Sequence, residues 1–248
     1  MKRFEISLTV RGYELGATGR VSAATLLRYT EQARWSSMAA PGFGASRFWS
    51  RGMLRAEQIA IESPVVYGDD VVIATWIGHV GRTSLTFVHQ LTRAKDGAVL
   101  ALASAVGVVV DAAGRPSPVA EGAREIVVPE PGPQLPDLAG DAPAGAFVRE
   151  FAALPSDHDI LQHVNHARWV DHAEDTRLLG AIAGGHGAAS EAGKKAAGRL
   201  SIEFKKQAVA GERLIGKSWP LDAAGASFGT EIRLADGDAV AVRARVET

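Results

Sequence analysis

Ser156-Asp157-His158-Asp159-Ile160-Leu161-Gln162-His163-Val164-Asn165-His166 is the densest run of acids and imidazoles in the chain. It stands between a short apolar stretch, Phe147–Ala153, and a long segment of helical character, Asn165–Ile182. A helix start offers unpaired backbone N–H groups and the positive end of a dipole. Such donors can polarise a carbonyl and stabilise an oxyanion. A carboxylate beside them can activate water or attack directly. Asn165 suits the N-cap of that helix and also suits contact with a substrate.

The same layout recurs earlier in the chain at an offset of 143 residues. Phe4 matches Phe147, Val21 matches Val164 and Ala24 matches Ala167. The match continues through Glu31 and Glu174, Arg34 and Arg177, Ile59 and Ile202, Gly68 and Gly211, Trp76 and Trp219, and Ser84 and Ser227. A period this long marks a duplicated domain rather than a solenoid. The copies differ where chemistry is expected. Asp159 faces Gly16, His163 faces Arg20 and Asn165 faces Ser22, so the second copy reads as a working site and the first as a scaffold.

Each copy follows one plan: a strand, a turn, a helix and then several strands. The first half reads as a strand at Phe4–Val10, a helix at Ala23–Met38 and strands at Gln58–Val66, Val71–Val80, Ser84–Arg93 and Val99–Val110. The second reads as strands at Phe147–Ala153, Arg199–Gln207, Arg213–Leu221, Ser227–Leu234 and Ala239–Val246 around the helix at Asn165–Ile182. Asp96-Gly97 and Asp236-Gly237 suit antiparallel hairpins, and the whole is an α+β pattern. The expected division is a first domain over 1–122, a proline-rich linker over 123–145 and a second domain over 146–248. Prolines 116, 118, 129, 131, 133, 136 and 143 oppose regular pairing there, although Ile126–Val128 is apolar enough to pack on one domain. The Gly-, Ala- and Ser-rich segment Gly184–Gly198 reads as a surface loop or a mobile lid.

Three-and-four spacing aligns Ala24, Leu27, Glu31, Trp35 and Met38 in one helix and Ala167, Val170, Glu174, Leu178 and Ala181 in the other. Each stripe is apolar except for a glutamate at the same place, which puts that carboxylate on the face toward the sheet. It needs a partner there. Arg34 and Arg177, three residues on, can supply an ion pair; the other reading is a general acid or base.

Composition excludes several classes. The chain has 248 residues, 46% of them hydrophobic and 22% charged, with net charge −1 and no cysteine. That balance is ordinary for a globular protein and carries no nucleic-acid footprint. Without cysteine there is no disulfide, thiolate zinc site or thiol nucleophile. Histidines 158, 163, 166 and 172 with Asp157 and Asp159 lack a helical His-x-x-x-His pair, so no metal is expected. No Gly-x-Ser-x-Gly elbow, Walker loop or dinucleotide fingerprint is present. The first ten residues lack a signal-peptide core and the longest apolar run, Ala98–Val110, is too short to span a bilayer. A cytoplasmic protein with no membrane partner is expected.

Asp-x-x-x-His-Val-Asn opening a helix, with Glu nine residues past the Asn, resembles the hotdog-fold thioesterases, the 4-hydroxybenzoyl-CoA thioesterase-like superfamily. The duplication resembles the acyl-acyl-carrier-protein thioesterases. Tyr13-Glu14-Leu15, Glu31-Gln32-Ala33-Arg34 and Gly81-Arg82-Thr83-Ser84 look like the same superfamily. The resemblance implies a tandem hotdog, each half a long central helix wrapped by an antiparallel sheet, with catalysis in the second and the acyl chain between them. It implies hydrolysis of an acyl-CoA or acyl-carrier-protein thioester without metal or organic cofactor. Asp159 would be nucleophile or general base, and His163 and Asn165 would orient water or the thioester carbonyl. Glu174 would be a supporting acid, and Val164, Glu31 and Ser84 substrate contacts. The carrier-protein enzymes carry Asp-x-Asn-x-His-Val-Asn and a strand ending in Glu-Cys; here Leu161, Gln207 and Ala208 stand in those places. That brings acyl-CoA level with acyl-carrier protein. A hotdog 3-hydroxyacyl-thioester dehydratase or hydratase is disfavoured, because Asp159 and His163 are one residue too close and no proline lies between them. An acyl-thioester-binding protein without catalysis is the other alternative. Two hotdogs in one chain mimic the usual hotdog dimer, and a homodimer of such chains is equally compatible with the sequence.

Overall fold

The computed structural model describes residues 3–40, 43, 52–138, 140–222 and 225–248. The chain separates into two compact units, Met1–Gln134 and Leu135–Thr248. In the first, β1 (Arg3–Thr9) leads through a single 3-10 turn into α1 (Ala23–Ala39). Then come β2 (Gly52–Ile61), β3 (Asp70–Val80), β4 (Ser84–Arg93) and β5 (Val99–Val109). These strands form an antiparallel sheet in the order β1-β3-β4-β5-β2, and α1 packs on β1, β2 and β3.

The second unit repeats this with β6 (Phe147–Ala152), a 3-10 turn, α2 (His166–Ile182) and a short α3 (Ser190–Gly193). β7 (Arg199–Phe204), β8 (Arg213–Pro220), β9 (Ser227–Leu234) and β10 (Val240–Glu247) follow. Its order, β6-β8-β9-β10-β7, is that of the first unit, and α2 packs on β6, β8 and β9.

Strand placement follows alternation and turn chemistry. At the β4–β5 hairpin Gly97 sits at φ 70°, its N–H on the Arg93 carbonyl, while Asp96 accepts from the Ala98 amide. That left-handed corner favours glycine. Two strands differ from expectation. β2 spans Gly52–Ile61 rather than Gln58–Val66, because Pro64 has no N–H to pair and the Glu62 and Ser63 amides both turn to the Leu100 carbonyl. β7 stops at Phe204 rather than Gln207, because the Lys205 and Lys206 amides both turn to Ala241.

The helices bury Ala24, Leu27, Ala167, Val170 and Ala181 of the expected stripes but not the rest of them. α1 buries Ala23, Leu26, Leu27, Thr30, Ala33, Arg34 and Ser37, which leaves Glu31 half-buried and Trp35 50% exposed. α2 buries Ala173, Thr176, Arg177 and Gly180, with Glu174 and Leu178 at the margin. Small residues let the helix lie close to the sheet. A Cβ on Gly216 of β8 would meet Thr176 Oγ1 at 2.6 Å, and one on Gly180 would meet Ser218 Oγ at 2.8 Å. The arginines go inside because each finds partners there: Arg34 Nη1 reaches Glu57 Oε1 on β2 at 3.2 Å, and Arg177 binds Glu174 and the Gly193 carbonyl.

The connecting segment is folded onto the units rather than free. Ala123–Ile126 forms a 3-10 turn, Ile126 and Val127 pack against Ile77, Leu85 and Phe87, and the Val128 amide binds the Ile77 carbonyl. Trp76 Nε1 donates to the Glu130 carbonyl at 3.0 Å. In the second unit Arg245 binds the Asp137 carbonyl and Arg243 pairs with Asp141. The 184–198 segment is likewise packed. It forms a 3-10 turn and α3, with His186, Ala189 and Gly193 buried. No helix among the described residues is long and apolar enough to cross a membrane.

Candidate active site

The candidate site is a hairpin loop between the 3-10 turn Pro155–Asp157 and α2. His158 and Val164 close the loop as a β-bridge, and the Val164 amide binds the Ala208 carbonyl at 2.9 Å. His158 Nε2 accepts the Ala210 N–H at 2.6 Å, so this imidazole is a structural acceptor. Across the tip the Asp159 amide binds the His163 carbonyl at 3.2 Å and the Gln162 amide binds the Asp159 carbonyl at 3.0 Å. Gln162 carries φ 61°. For a residue with a Cβ this conformation costs about 1–2 kcal/mol. Strain of this kind collects at sites where the loop shape matters.

The loop presents Asp159 and His163. Their side chains keep 22% and 20% of their exposure, with His163 Nδ1 3.9 Å from Asp159 Oδ1. Asp159 Oδ1 also accepts the Leu161 N–H at 2.8 Å, an Asx turn that fixes the carboxylate. Asn165 is the N-cap: its backbone is extended and Oδ1 accepts the Ala167 N–H at 2.8 Å.

The donors at the helix start are mostly engaged. The Asn165 amide binds the Asp157 carbonyl, and the Arg168 and Trp169 amides bind the Asn165 carbonyl. Among the described residues the His163 N–H, next to strained Gln162, has no acceptor. The sequence pointed to free N–H groups at the helix start in general and did not single out this one.

The other expected site residues lie elsewhere. Val164 is 3% exposed and belongs to the core of its unit. Glu174 lies nine residues beyond Asn165, about 13 Å along the helix axis. It is held in a two-point pair with fully buried Arg177, Oε1 to Nε at 3.0 Å and Oε2 to Nη2 at 2.7 Å. This is the ion pair that the sequence allowed, with the carboxylate committed to the arginine. Glu31 lies half-buried on α1, and Ser84 begins β4 with its carbonyl accepting the Gly81 N–H. Both belong to the first unit.

A second acid, Asp157, was weighed in the sequence only as a metal ligand. Asp157 is fully buried, two residues before Asp159. Burial alone would raise its pKa. The Leu154 amide, His172 and Arg168 outweigh that and hold the carboxyl below its ordinary range. Among the described residues no group of three or more His, Asp or Glu side chains is placed to hold a metal ion.

Comparison with known proteins matches residues 10–130 to the thioesterase-like superfamily. The match lies in the first unit, the one without the Asp159 equivalent, so the matched residues and the candidate acid fall in different halves. No curated protein matches it in sequence. Among solved structures it is similar over its full length to an acyl-ACP thioesterase from Bacteroides thetaiotaomicron, with TM-score 0.82, 18% identity, and 99% of this chain and 97% of that chain covered. It is also similar to the 12:0-ACP thioesterase from Umbellularia californica, with TM-score 0.80, 17% identity, and 99% and 96% covered. At this identity the likeness establishes the shared fold.

Proposed function

We propose that the chain is a tandem-hotdog thioesterase that hydrolyses an acyl-CoA or acyl-carrier-protein thioester, with the chemistry in the second unit. The observation that carries this reading is the pairing of Asp159 with His163. An accessible carboxylate stands beside an imidazole on a strained loop, where the first unit has Gly16 and Arg20. The superfamily match and the two full-length acyl-ACP thioesterase neighbours support the reaction class.

In the general-base route, Asp159 takes a proton from water as its oxygen bonds to the thioester carbonyl carbon. The carbonyl oxygen gathers charge against the His163 N–H, and the C–S bond then breaks to release acid and thiol. In the nucleophilic route Asp159 attacks first and water hydrolyses the resulting anhydride. His163 orients the attacking group in either case, and Asn165 holds the helix start. Glu174 serves Arg177, and Val164 closes the loop from the core side.

Free-thiol release from short, long and aromatic acyl-CoAs, and from an acylated carrier protein, tests the proposal. Turnover by the wild type that is lost in a folded Asp159→Asn variant supports it. Undiminished turnover in that variant would remove Asp159 from the mechanism. Tight acyl-CoA binding with no thiol released from any substrate would make the chain a binding protein instead. Single turnover in heavy-oxygen water tests the nucleophilic route, because label enters the Asp159 carboxylate only when water opens an anhydride at the Asp159 carbonyl carbon.

A further inference from the structure

We infer that His172 is a positioning residue for Asp159, acting through buried Asp157, and that this pair is the second unit's version of a lock built into both copies. The inference rests on the role proposed above for Asp159.

The geometry converges on Asp157. Its Oδ2 accepts the Leu154 N–H at 2.8 Å and His172 Nε2–H at 3.0 Å. Its Oδ1 accepts Arg168 Nε at 3.0 Å and Nη2 at 2.9 Å. Its main-chain carbonyl accepts the Asn165 N–H at 2.8 Å. Residues 158–164, which carry Asp159 and His163, are therefore fastened at both ends to one residue. His172 in turn is set by its rings' neighbours: Phe151 at 4.9 Å and Trp169 at 6.2 Å between centroids. Asp157 is fully buried and so cannot meet a substrate; its effect on chemistry has to pass through the loop.

The first unit holds the same lock made of different residues. At the 143-residue offset, Glu14 matches Asp157 and Tyr29 matches His172. Glu14 Oε2 accepts the Arg11 N–H at 2.7 Å and the Tyr29 O–H at 2.8 Å, so one oxygen again takes a backbone amide and a helix side chain. Burial, then the bond to Glu14, raises the Tyr29 pKa and keeps that proton in place. There the pair stands just before a loop of Gly16, Ala17, Thr18 and Gly19 that the Leu15–Val21 bridge closes. A buried carboxylate is costly unless its oxygens are satisfied. Both members of the pair changed between copies while one carboxylate oxygen kept its backbone amide and its helix side chain. The first unit is therefore an internal control: the same lock without the acid.

The experiment uses the full chain and the acyl-CoA that the wild type turns over fastest. His172→Phe keeps the ring contacts and removes the donor. It is expected to lower kcat about 10- to 100-fold with KM within about threefold, the effect of a misplaced reacting group. Amide exchange over residues 158–164 should quicken by about fivefold or more, as one lost hydrogen bond allows. Asp157→Glu combined with His172→Tyr installs the first-unit pair and is expected to return kcat to within about threefold of wild type. Tyr29→Phe should quicken exchange over residues 15–21 and leave kcat alone. A folded His172→Phe variant with wild-type kcat overturns the inference, as does a folded double variant as slow as Asp159→Asn. Should His172→Phe fail to fold, the double variant alone decides. If the wild type releases thiol from nothing, the thioesterase reading has failed; exchange over 158–164 in His172→Phe then supports or overturns the lock by itself.

Discussion

The two units share one topology and one offset, yet they spend the same positions differently. In the first, the loop before the helix has Gly16 and Gly19 at its corners, with Gly19 at φ 71°. In the second, Asp159 and Gln162 stand in those places, and Gln162 adopts the left-handed conformation with φ 61°. The hydroxyl at the matched positions Thr75 and Ser218 meets a buried imidazole in both units. In the first it is His89 of β4, with Nδ1 2.9 Å from Thr75 Oγ1. In the second it is His186, after α2, with Nε2 2.9 Å from Ser218 Oγ. Position 186 matches Phe43 of the first unit, so the histidine has moved from one element to another while its hydroxyl partner stayed. A duplicated fold keeps its bonding pattern and lets the residues that supply it change. An acid that appears in only one copy, on a loop that both share, is therefore an addition to the scaffold rather than part of it.

The comparison can be broken most severely at that acid. Asp159→Gly gives the second loop the first unit's residue. It should lower thiol release by about a thousandfold or more, the scale of losing an activated nucleophile or base together with its partner. A thermal melt should stay close to wild type, because the side chain is not part of the core.

Arg177 comes next. Arg177→Met leaves the Glu174 carboxylate and the Gly193 carbonyl without their shared donor and should destabilise the second unit by about 3–5 kcal/mol in denaturant titration. Arg34→Met tests whether the first unit depends as much on its own pair with Glu57.

The buried histidines sharpen the comparison through pH. Burial first, then Arg34, holds His89 well below its ordinary value of 6.5; burial first, then Arg177, lowers His186 from the same value. Above pH 6.5 neither the fold nor the unfolded chain takes up these protons. Below it the unfolded chain binds protons that the fold refuses. Stability should therefore be full above that pH and decline as the pH drops toward the folded-state values. His186→Phe, which restores the first unit's residue, should flatten part of that decline in melts taken at stepped pH. An unchanged slope would show that His186 does not drive it.

The smallest effect is expected at Gln162. Gln162→Gly relieves the left-handed strain and should raise stability by at most about 1 kcal/mol, part of the gain being offset by the freer unfolded chain. A melting point lower than wild type would mean that the Gln162 side chain holds the loop by itself.

Strands β3, β4 and β9 were legible because alternation and Gly/Asp turns coincide with their ends. The helical faces were harder to read. Their buried stripes run through Arg34, Ser37, Thr176 and Arg177, which hydropathy places outside. The connecting segment was legible as proline-rich and its apolar stretch Ile126–Val128 as able to pack, but not the residues it packs on, which are far away in sequence. In the site, Asp159, His163 and Asn165 could be found because spacing at a helix start is a local signal. Asp157 and His172 were named in a metal-ligand set but not as a pair, because a polar residue on each of two elements has no spacing of its own. Their signal was the repeat: Glu14 with Tyr29 at the same offset marks a pair that only makes sense together.

The anchored connection also fixes how the halves respond to dilution. A Cβ on Gly132 would lie 2.7 Å from the Ser104 Cβ, and the Asp137 carbonyl is already bound to Arg245. Between those two anchors run Pro133, Gln134, Leu135 and Pro136, a tether stiffened by two prolines. Whatever the amount of protein, one chain supplies the scaffold copy and the acid-bearing copy in equal number. Two separate single-copy chains would be made and diluted independently; here their ratio is fixed by the covalent chain.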